Sequence, residues 1–304
     1  MKDLLLVLGE MACDMQANFA QDFSDFGVEK FSAGVFHTGD FRALKKMQKL
    51  QKLQDLQNLQ DFHTIILHPI ADTRYEIEQI QYEIGTELGI MILLANALLS
   101  SEVKTNKDLD SDKIKSIKHI LEKLSSFDFG HIFSESSLSE EEVDGIVSGF
   151  EIATNRYILL GRAFAYHSDK ESIYKILGLL SQIPNTHIIT HKKCEKIDLN
   201  ECLDNDFWAN IESKLENLPE SNGAFVYFAP QRSAKSKNPT LQSTKQFLAL
   251  AKCKNGDTIT LKNHSISIAC QILEAPYLRG VVGITSDFAD KKCYPFVPLQ
   301  HLIA

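Results

Sequence analysis

Residues 255–284, NGDTITLKNHSISIACQILEAPYLRGVVGI, constrain this chain more than any other stretch. Asn255, Gly256 and Asp257 supply turn chemistry, because asparagine and glycine tolerate the positive φ that tight hairpin turns require. Over residues 265–273 the side chains alternate. Ile266, Ile268, Cys270 and Ile272 fall on one face, and Ser265, Ser267, Ala269 and Gln271 on the other. A period of two predicts a half-buried strand. Pro276 and Gly280 bracket a connection, and residues 281–284 return to extended chain. Such a run predicts a small β-barrel or compact sheet attached to a larger body.

The body reads as α/β. Residues 4–8 (LLLVL) predict a buried strand, followed by a helical stretch over 13–23. Residues 63–67 (HTIIL) predict a second strand that ends at His68-Pro69. Asp72 or Thr73 is expected to cap a helix over 75–83. Residues 90–99 form an apolar helix after Gly85 and Gly89, and the polar residues 100–112 read as a linker. Ile114, Ile117, Ile120, Leu121 and Leu124 have helical spacing. Ser139-x-x-Glu142 is a capping box, with Val143, Ile146, Val147 and Phe150 on the inner face of its helix. Residues 157–160 predict a third strand with a turn at Gly161. A helix over 169–182 and a strand over 186–190 follow. Strand, helix and strand in this order are the signature of βαβ units and a parallel sheet.

The expected fold is therefore a Rossmann-like parallel or mixed sheet with flanking helices, over residues 1–219. A small β-rich, barrel-like unit follows over 220–304, opening at residues 223–228 (GAFVYF). Residues 46–60 interrupt the body with an x-Leu-Gln microrepeat. Leucines every third residue sweep around a helix and do not make one stripe, so this insertion reads as a solvated helical extension. A partner-binding coiled coil would need a 3.5-residue period. Residues 232–239 read as a basic loop.

Composition narrows the function. A net charge of -8 over 304 residues argues against nucleic-acid binding, which needs a basic face. The apolar run at 4–8 is too short for a signal peptide, and that at 90–99 is too short to cross a bilayer. A cytoplasmic protein without direct membrane insertion is expected. Cys13, Cys194, Cys202, Cys253, Cys270 and Cys293 form no C-x-x-C pair and read as free thiols.

Chemistry-bearing patterns are sparse. Neither G-x-G-x-x-G nor a P-loop occurs, and there is no G-x-S-x-G elbow. Gly161-Arg162 follows a strand, at a position where an arginine meets anions in doubly wound sheets, although a solvated or salt-bridged arginine is the commoner outcome. His187, His191 and Cys194 have metal-like spacing. Four residues of strand, however, span roughly 13 Å, so surface or strand-end histidines are expected. Cys13 reads as a buried structural thiol. Glu140, Glu141 and Glu142 complement a helix dipole. His167 with Asp169 is a candidate acid–base pair, with Asp169 more simply a helix cap. No residue is assigned to catalysis, to a cofactor or to a metal.

Two stretches carry a family resemblance. His68-Pro69-Ile70-Ala71-Asp72 with residues 82–90 (YEIGTELGI), and residues 157–162 (YILLGR) with Tyr166-His167 and residues 176–180 (ILGLL), resemble part of bacterial NADH–quinone oxidoreductase, respiratory complex I. The part in question is the C-terminal, molybdopterin-oxidoreductase-like region of a subunit whose N-terminal half carries iron–sulfur clusters. The tail from Gly256-Asp257 to residues 280–282 is similar to the C-terminal barrel of molybdopterin oxidoreductases. The motifs are short, yet together they span most of the chain.

The resemblance implies an accessory component of a respiratory assembly at the inner face of the plasma membrane, with the other subunits of that complex as partners. It implies a relic without a redox centre, because the cysteine motifs that hold iron–sulfur clusters in the family's N-terminal half have no counterpart here. Two alternatives stay open. One is an independent oxidoreductase using molybdopterin or a nucleotide in the cleft between body and barrel. The other is a soluble module that binds partners through residues 48–60.

Overall fold

The structure is a computed structural model that describes residues 3–11, 27–32, 35–38, 62–105, 111–190, 204–229, 239–263, 266–285 and 293–302. The insertion at 46–60, the expected helix over 13–23, and Cys13, His191, Cys194 and Cys202 lie outside the described residues. So does the expected basic loop, apart from Pro239.

Strand β1 (Asp3–Leu8) is the centre of the body. Its five apolar residues, Leu4 to Leu8, are fully buried, as expected of a continuous apolar run in a sheet covered on both faces. It pairs in parallel with β4 (Phe62–Leu67) on one side and β7 (Arg156–Leu160) on the other. Beyond β4 lies β6 (Glu78–Ile80), and beyond β7 lies β8 (Thr186–Thr190), both parallel. An antiparallel hairpin of β2 (Gly27–Ser32) and β3 (Val35–Thr38) extends the β8 edge. The sheet order is β3-β2-β8-β7-β1-β4-β6. The chain thus builds outward through β4 and β6, then crosses to the other side of β1.

Leu4, Leu6 and Leu8 share one core with Ile65, Leu67, Ile158, Leu160 and Ile188. Leu5, Val7, Ile66, Leu159 and Ile189, which point the other way, are equally buried. The first face packs on α1 (Glu87–Thr105) and α6 (Lys170–Leu180). Around α1 stand α2 (Ser111–Leu124), α3 (Phe129–Ser136) and α4 (Glu140–Ile152). A helix apolar on every side belongs in a core. Helix α1 is long and apolar enough to cross a membrane by length and composition, but most of its apolar window is buried within the protein.

The capping box forms as expected: the Glu142 N–H donates to Ser139 Oγ at 3.2 Å, and the Ser139 N–H donates to Glu142 Oε2 at 2.8 Å. Two short helices complete the body, α5 (Arg162–Ala165) and α7 (Asn205–Leu215).

Three expectations are corrected. No helix covers 75–83. Instead a two-residue strand β5 (Ala71–Asp72) and a turn lead into β6, which adds to the free edge of β4. The Asp72 carboxylate, expected as a helix cap, is taken by the Arg74 guanidinium at 2.9 and 2.6 Å. Helix α1 begins at Glu87 and passes through Gly89, where a Cβ would come within 3.0 Å of Ile132 and 3.2 Å of Leu218; that glycine permits close packing and does not interrupt the helix. The same helix continues to Thr105, and α2 starts at Ser111, so most of the expected linker over 100–112 is helical.

The C-terminal unit is a curled six-stranded sheet forming a half-barrel. Its strands are β9 (Phe225–Phe228), β10 (Thr240–Ser243), β11 (Thr258–Asn263), β12 (Ile266–Glu274), β14 (Val282–Thr285) and β15 (Phe296–Pro298), in the order β11-β12-β10-β14-β9-β15. Helix α8 (Lys245–Ala251) closes one side, and Phe247 joins Leu241, Leu261, Cys270 and Ile272 in a separate small core. The expected alternation holds along β12: Cys270 and Ile272 are buried, whereas Ser267, Ala269, Gln271 and Leu273 are exposed.

A two-residue strand, β13 (Leu278–Arg279), leaves this unit and pairs antiparallel with β5 of the body. Beside it, Arg74 lies 3.7 Å over the Tyr277 ring while it holds the buried Asp72, and this carboxylate keeps the guanidinium fully protonated. The planar fork matters, because an ammonium cannot make both oxygen contacts and stack. Arg74→Met, which leaves a buried carboxylate without its cation, should cost about 2 kcal/mol given that the arginine is half exposed. Arg74→Lys should restore less than half of that loss. Thermal unfolding of the two variants checks both values.

Candidate functional site

In a doubly wound sheet the place to look is the carboxyl ends of the strands, where the chain reverses its direction of growth. Here that point lies between β1 and β7. Strand β1 runs into Gly9-Glu10, and β7 into Gly161-Arg162. The Gly161 N–H donates to the Leu8 carbonyl at 2.6 Å. A Cβ on Gly161 would sit 2.6 Å from the Gly9 carbonyl group, and one on Gly9, whose φ is +71°, would sit 2.7 Å from Ala163 and Phe164. Two strands and a helix start meet here at a distance only glycine permits.

The chain's own polar groups fill this crevice. Glu10 is 1% exposed, and its Oε2 accepts the backbone N–H of Arg162 at 3.0 Å. An anion thus does occupy the expected position, but it is a side chain. Arg162 is not solvated as expected. It is 3% exposed, and its Nη1 donates to the Phe228 carbonyl of β9 at 2.7 Å.

At the end of β4, His68 is buried edge-on against Tyr227 at 5.1 Å and tilted against Phe296 at 5.5 Å. Its Nδ1 lies 3.1 Å from both the Ile70 N–H and the Ile70 carbonyl oxygen, and its Nε2 has no hydrogen-bond partner among the described residues. Burial lowers the His68 pKa to about 4, against smaller opposing effects of the Ile70 carbonyl and Glu10. The described residues of the crevice do not fit a pterin or nucleotide phosphate. A buried carboxylate already holds the helix-start N–H, and the two glycine backbones touch.

A second polar cluster lies at the start of α1. Glu87 is fully buried; its Oε1 accepts the Tyr294 hydroxyl at 2.7 Å and the Tyr82 hydroxyl at 3.3 Å. Burial raises the Glu87 pKa, opposed by His167, Tyr294 and Tyr82. Burial, together with the neighbouring carboxylate, also raises both phenols, which therefore remain donors.

His167 Nε2 lies 3.2 Å from the Gly85 carbonyl and 3.4 Å from Glu87 Oε2, and its Nδ1 accepts the Asp169 N–H at 3.0 Å. The Asp169 carboxylate stands 3.7 Å from Nδ1. The candidate acid–base pair is thus adjacent in space. Asp169 stands at the N-cap position of α6, as expected. Its side chain accepts no helix N–H and instead pairs with Lys214 of α7 at 2.7 Å.

The remaining expectations resolve as follows. His187 is neither at the surface nor at a strand end: it is buried in β8 and stacked on Tyr157 of β7, with ring centroids 5.1 Å apart. Glu140, Glu141 and Glu142 occupy the first turn of α4. Cys253, Cys270 and Cys293 form no disulfide with one another. Among the described residues no three histidine, cysteine or carboxylate side chains gather around a metal position. Sequence reasoning missed Glu10, Glu87 and Tyr294 and did not see His68 as a crevice residue. The one usable signal was positional, since Glu10, His68 and Arg162 are each the first or second residue past a buried parallel strand. The chain matches no protein-family model and no curated protein.

Two outcomes test this packing. Gly161→Ala forces a methyl into the Gly9 backbone and should destabilise by about 3 kcal/mol, read as a shifted denaturant midpoint. For His68, the folded pKa of about 4 lies below the ordinary 6.5, so the unfolded chain binds more protons between those values. Stability should fall as pH drops through that window, by on the order of 3 kcal/mol in all. His68→Asn keeps an acceptor for Ile70. It should be weaker near neutrality but flatter in melting temperature from pH 6.5 to 4.

Proposed function

We propose that this chain is a non-catalytic accessory component of a respiratory NADH–quinone oxidoreductase-type assembly, resembling the cluster-free, molybdopterin-oxidoreductase-like region of that complex. One observation carries the reading. Polar groups of the short motifs that resemble that region, namely His68, Asp72, Glu87 and Arg162, lie where the body meets the C-terminal sheet. His68 packs on Tyr227 and Phe296. Asp72 holds Arg74, which stacks on Tyr277. Glu87 receives Tyr294, and Arg162 reaches the Phe228 carbonyl. An active crevice presents such groups to an opening; here they are buried at the junction and join two layers.

The fold alone is a weak warrant, since doubly wound sheets serve many activities. The filled crevice gives the argument its weight, because a buried carboxylate at a helix start repels the anionic groups that dinucleotide and pterin cofactors present there. A scaffold needs rigid contacts between its layers, and these motif residues make such contacts through His68, Asp72, Glu87 and Arg162.

Full-length tagged protein isolated from a mild detergent extract of native membranes tests the reading. Components of an NADH–quinone oxidoreductase should be recovered with it. A chain recovered alone, or one that releases a pterin, flavin or molybdenum on denaturation, would sink the proposal.

A further inference from the structure

We propose that the polar cleft between β6, the start of α4 and the segment leading into β9 receives a cationic side chain, arginine or lysine, carried by a partner polypeptide. The cleft encloses about 490 Å³ at the junction of body and C-terminal sheet. Both the size and the location are those of binding pockets. It is separate from the filled crevice at Gly9 and Gly161.

Charge sets the chemical class of the occupant. Glu83 and Glu142 line the cleft, and among the described residues no lysine, arginine or histidine does. Glu83 comes from the loop before α1 and accepts hydroxyl hydrogen bonds from Ser137, at 3.4 Å, and from Ser221. Glu142 accepts the Ser139 N–H at 2.8 Å and the Ser139 hydroxyl at 2.9 Å, all at its Oε2.

These neutral donors fix the two carboxylates in place without cancelling their charge. Among the described residues no cation pairs with either one. A cleft lined by one sign of charge between low-dielectric walls focuses its field and concentrates the opposite ion. Phe225 and Val282 supply apolar lining, which suits the methylene stem of an arginine or lysine whose head reaches the carboxylates. That the cation arrives on a polypeptide rests on the accessory reading above; that it is a cation rests on the cleft alone.

The test is a titration of the nitrogen-15-labelled full chain with three probes: N-acetylarginine amide, the uncharged N-acetylcitrulline amide, and agmatine. The arginine probe should produce saturable amide shifts confined to residues 79–84, 137 and 221–225, and the citrulline probe should produce none. Replacing both acids, Glu83→Gln and Glu142→Gln, should weaken the arginine probe about tenfold or more. Glutamine still accepts the serine hydroxyls and completes the capping box, so the melting temperature should hold, and a lost response then reports charge.

No saturable shift, an equal response to citrulline, or undiminished affinity in the double variant overturns the proposal. Agmatine binding more than tenfold tighter than the capped arginine overturns the polypeptide source in favour of a free amine. If the cleft fails while oxidoreductase components still co-purify, the accessory reading survives alone. If the cleft binds arginine and the chain purifies alone, only the cleft survives.

Discussion

The contact between the backbones of Gly9 and Gly161 sets the geometry of everything around it. It lets β1, β7 and the start of α5 come so close that the Gly161 N–H meets the Leu8 carbonyl at 2.6 Å and a Cβ on Gly161 would lie 2.6 Å from the Gly9 carbonyl group. Once the strands are that close, the polar residues that follow them have no route outward. Glu10 turns onto the N–H of Arg162, and Arg162 is directed across to Phe228 of β9. A buried carboxylate and a buried guanidinium are costly unless hydrogen-bonded. Their burial therefore couples the body to the C-terminal sheet, because removing β9 would strip the arginine of an acceptor.

The same logic recurs at two other points along the junction. Glu87 is tolerated in the core because Tyr82 and Tyr294 donate to it and because it stands in the first turn of α1, where the helix dipole favours negative charge. Asp72 is tolerated because Arg74 brackets it while resting on Tyr277. In each case a charged group of the body is completed by an aromatic ring or a carbonyl from the C-terminal sheet. Apolar packing alone would leave the relative placement of the two layers free to slide. Directional polar contacts at three separate points fix one register, at some expense in stability.

How much of this was legible follows from the range of each interaction. Strands β1, β4, β7, β8 and the β11–β12 hairpin were readable because their apolar runs or period-two alternation are local patterns. The capping box at Ser139 was readable for the same reason. The segment 75–83 was misread because Tyr75, Ile77 and Ile80 suit a helix locally, whereas pairing of residues 78–80 with 65–67 of β4 decided the outcome. The linker over 100–112 was misread because polar residues on the outer face of a helix look like a loop when its inner face is not yet known. At the candidate site, Gly161 and Arg162 could be placed at the reversal point from strand order. Glu10 lies 152 residues from Arg162, and Tyr294 lies 207 residues from Glu87. No local pattern encodes either pairing.

The location of negative charge ties these observations together. In the crevice where a doubly wound sheet would meet an anionic cofactor, the chain places a buried glutamate of its own on the helix-start N–H. In the neighbouring cleft it places two more glutamates, partly buried, held by hydroxyls and an amide, and with no cation paired to them among the described residues. The first arrangement resists anions and serves cohesion. The second has the same sign but keeps its charge accessible, and a charge left accessible in a cleft acts on whatever approaches. On the proposed reading, the strand-end crevice is closed by side chains that strengthen the junction, and the cleft at its rim is left for a partner. On that view the junction between body and C-terminal sheet has two tasks divided by depth, adhesion at the strand ends and recognition a few residues further out.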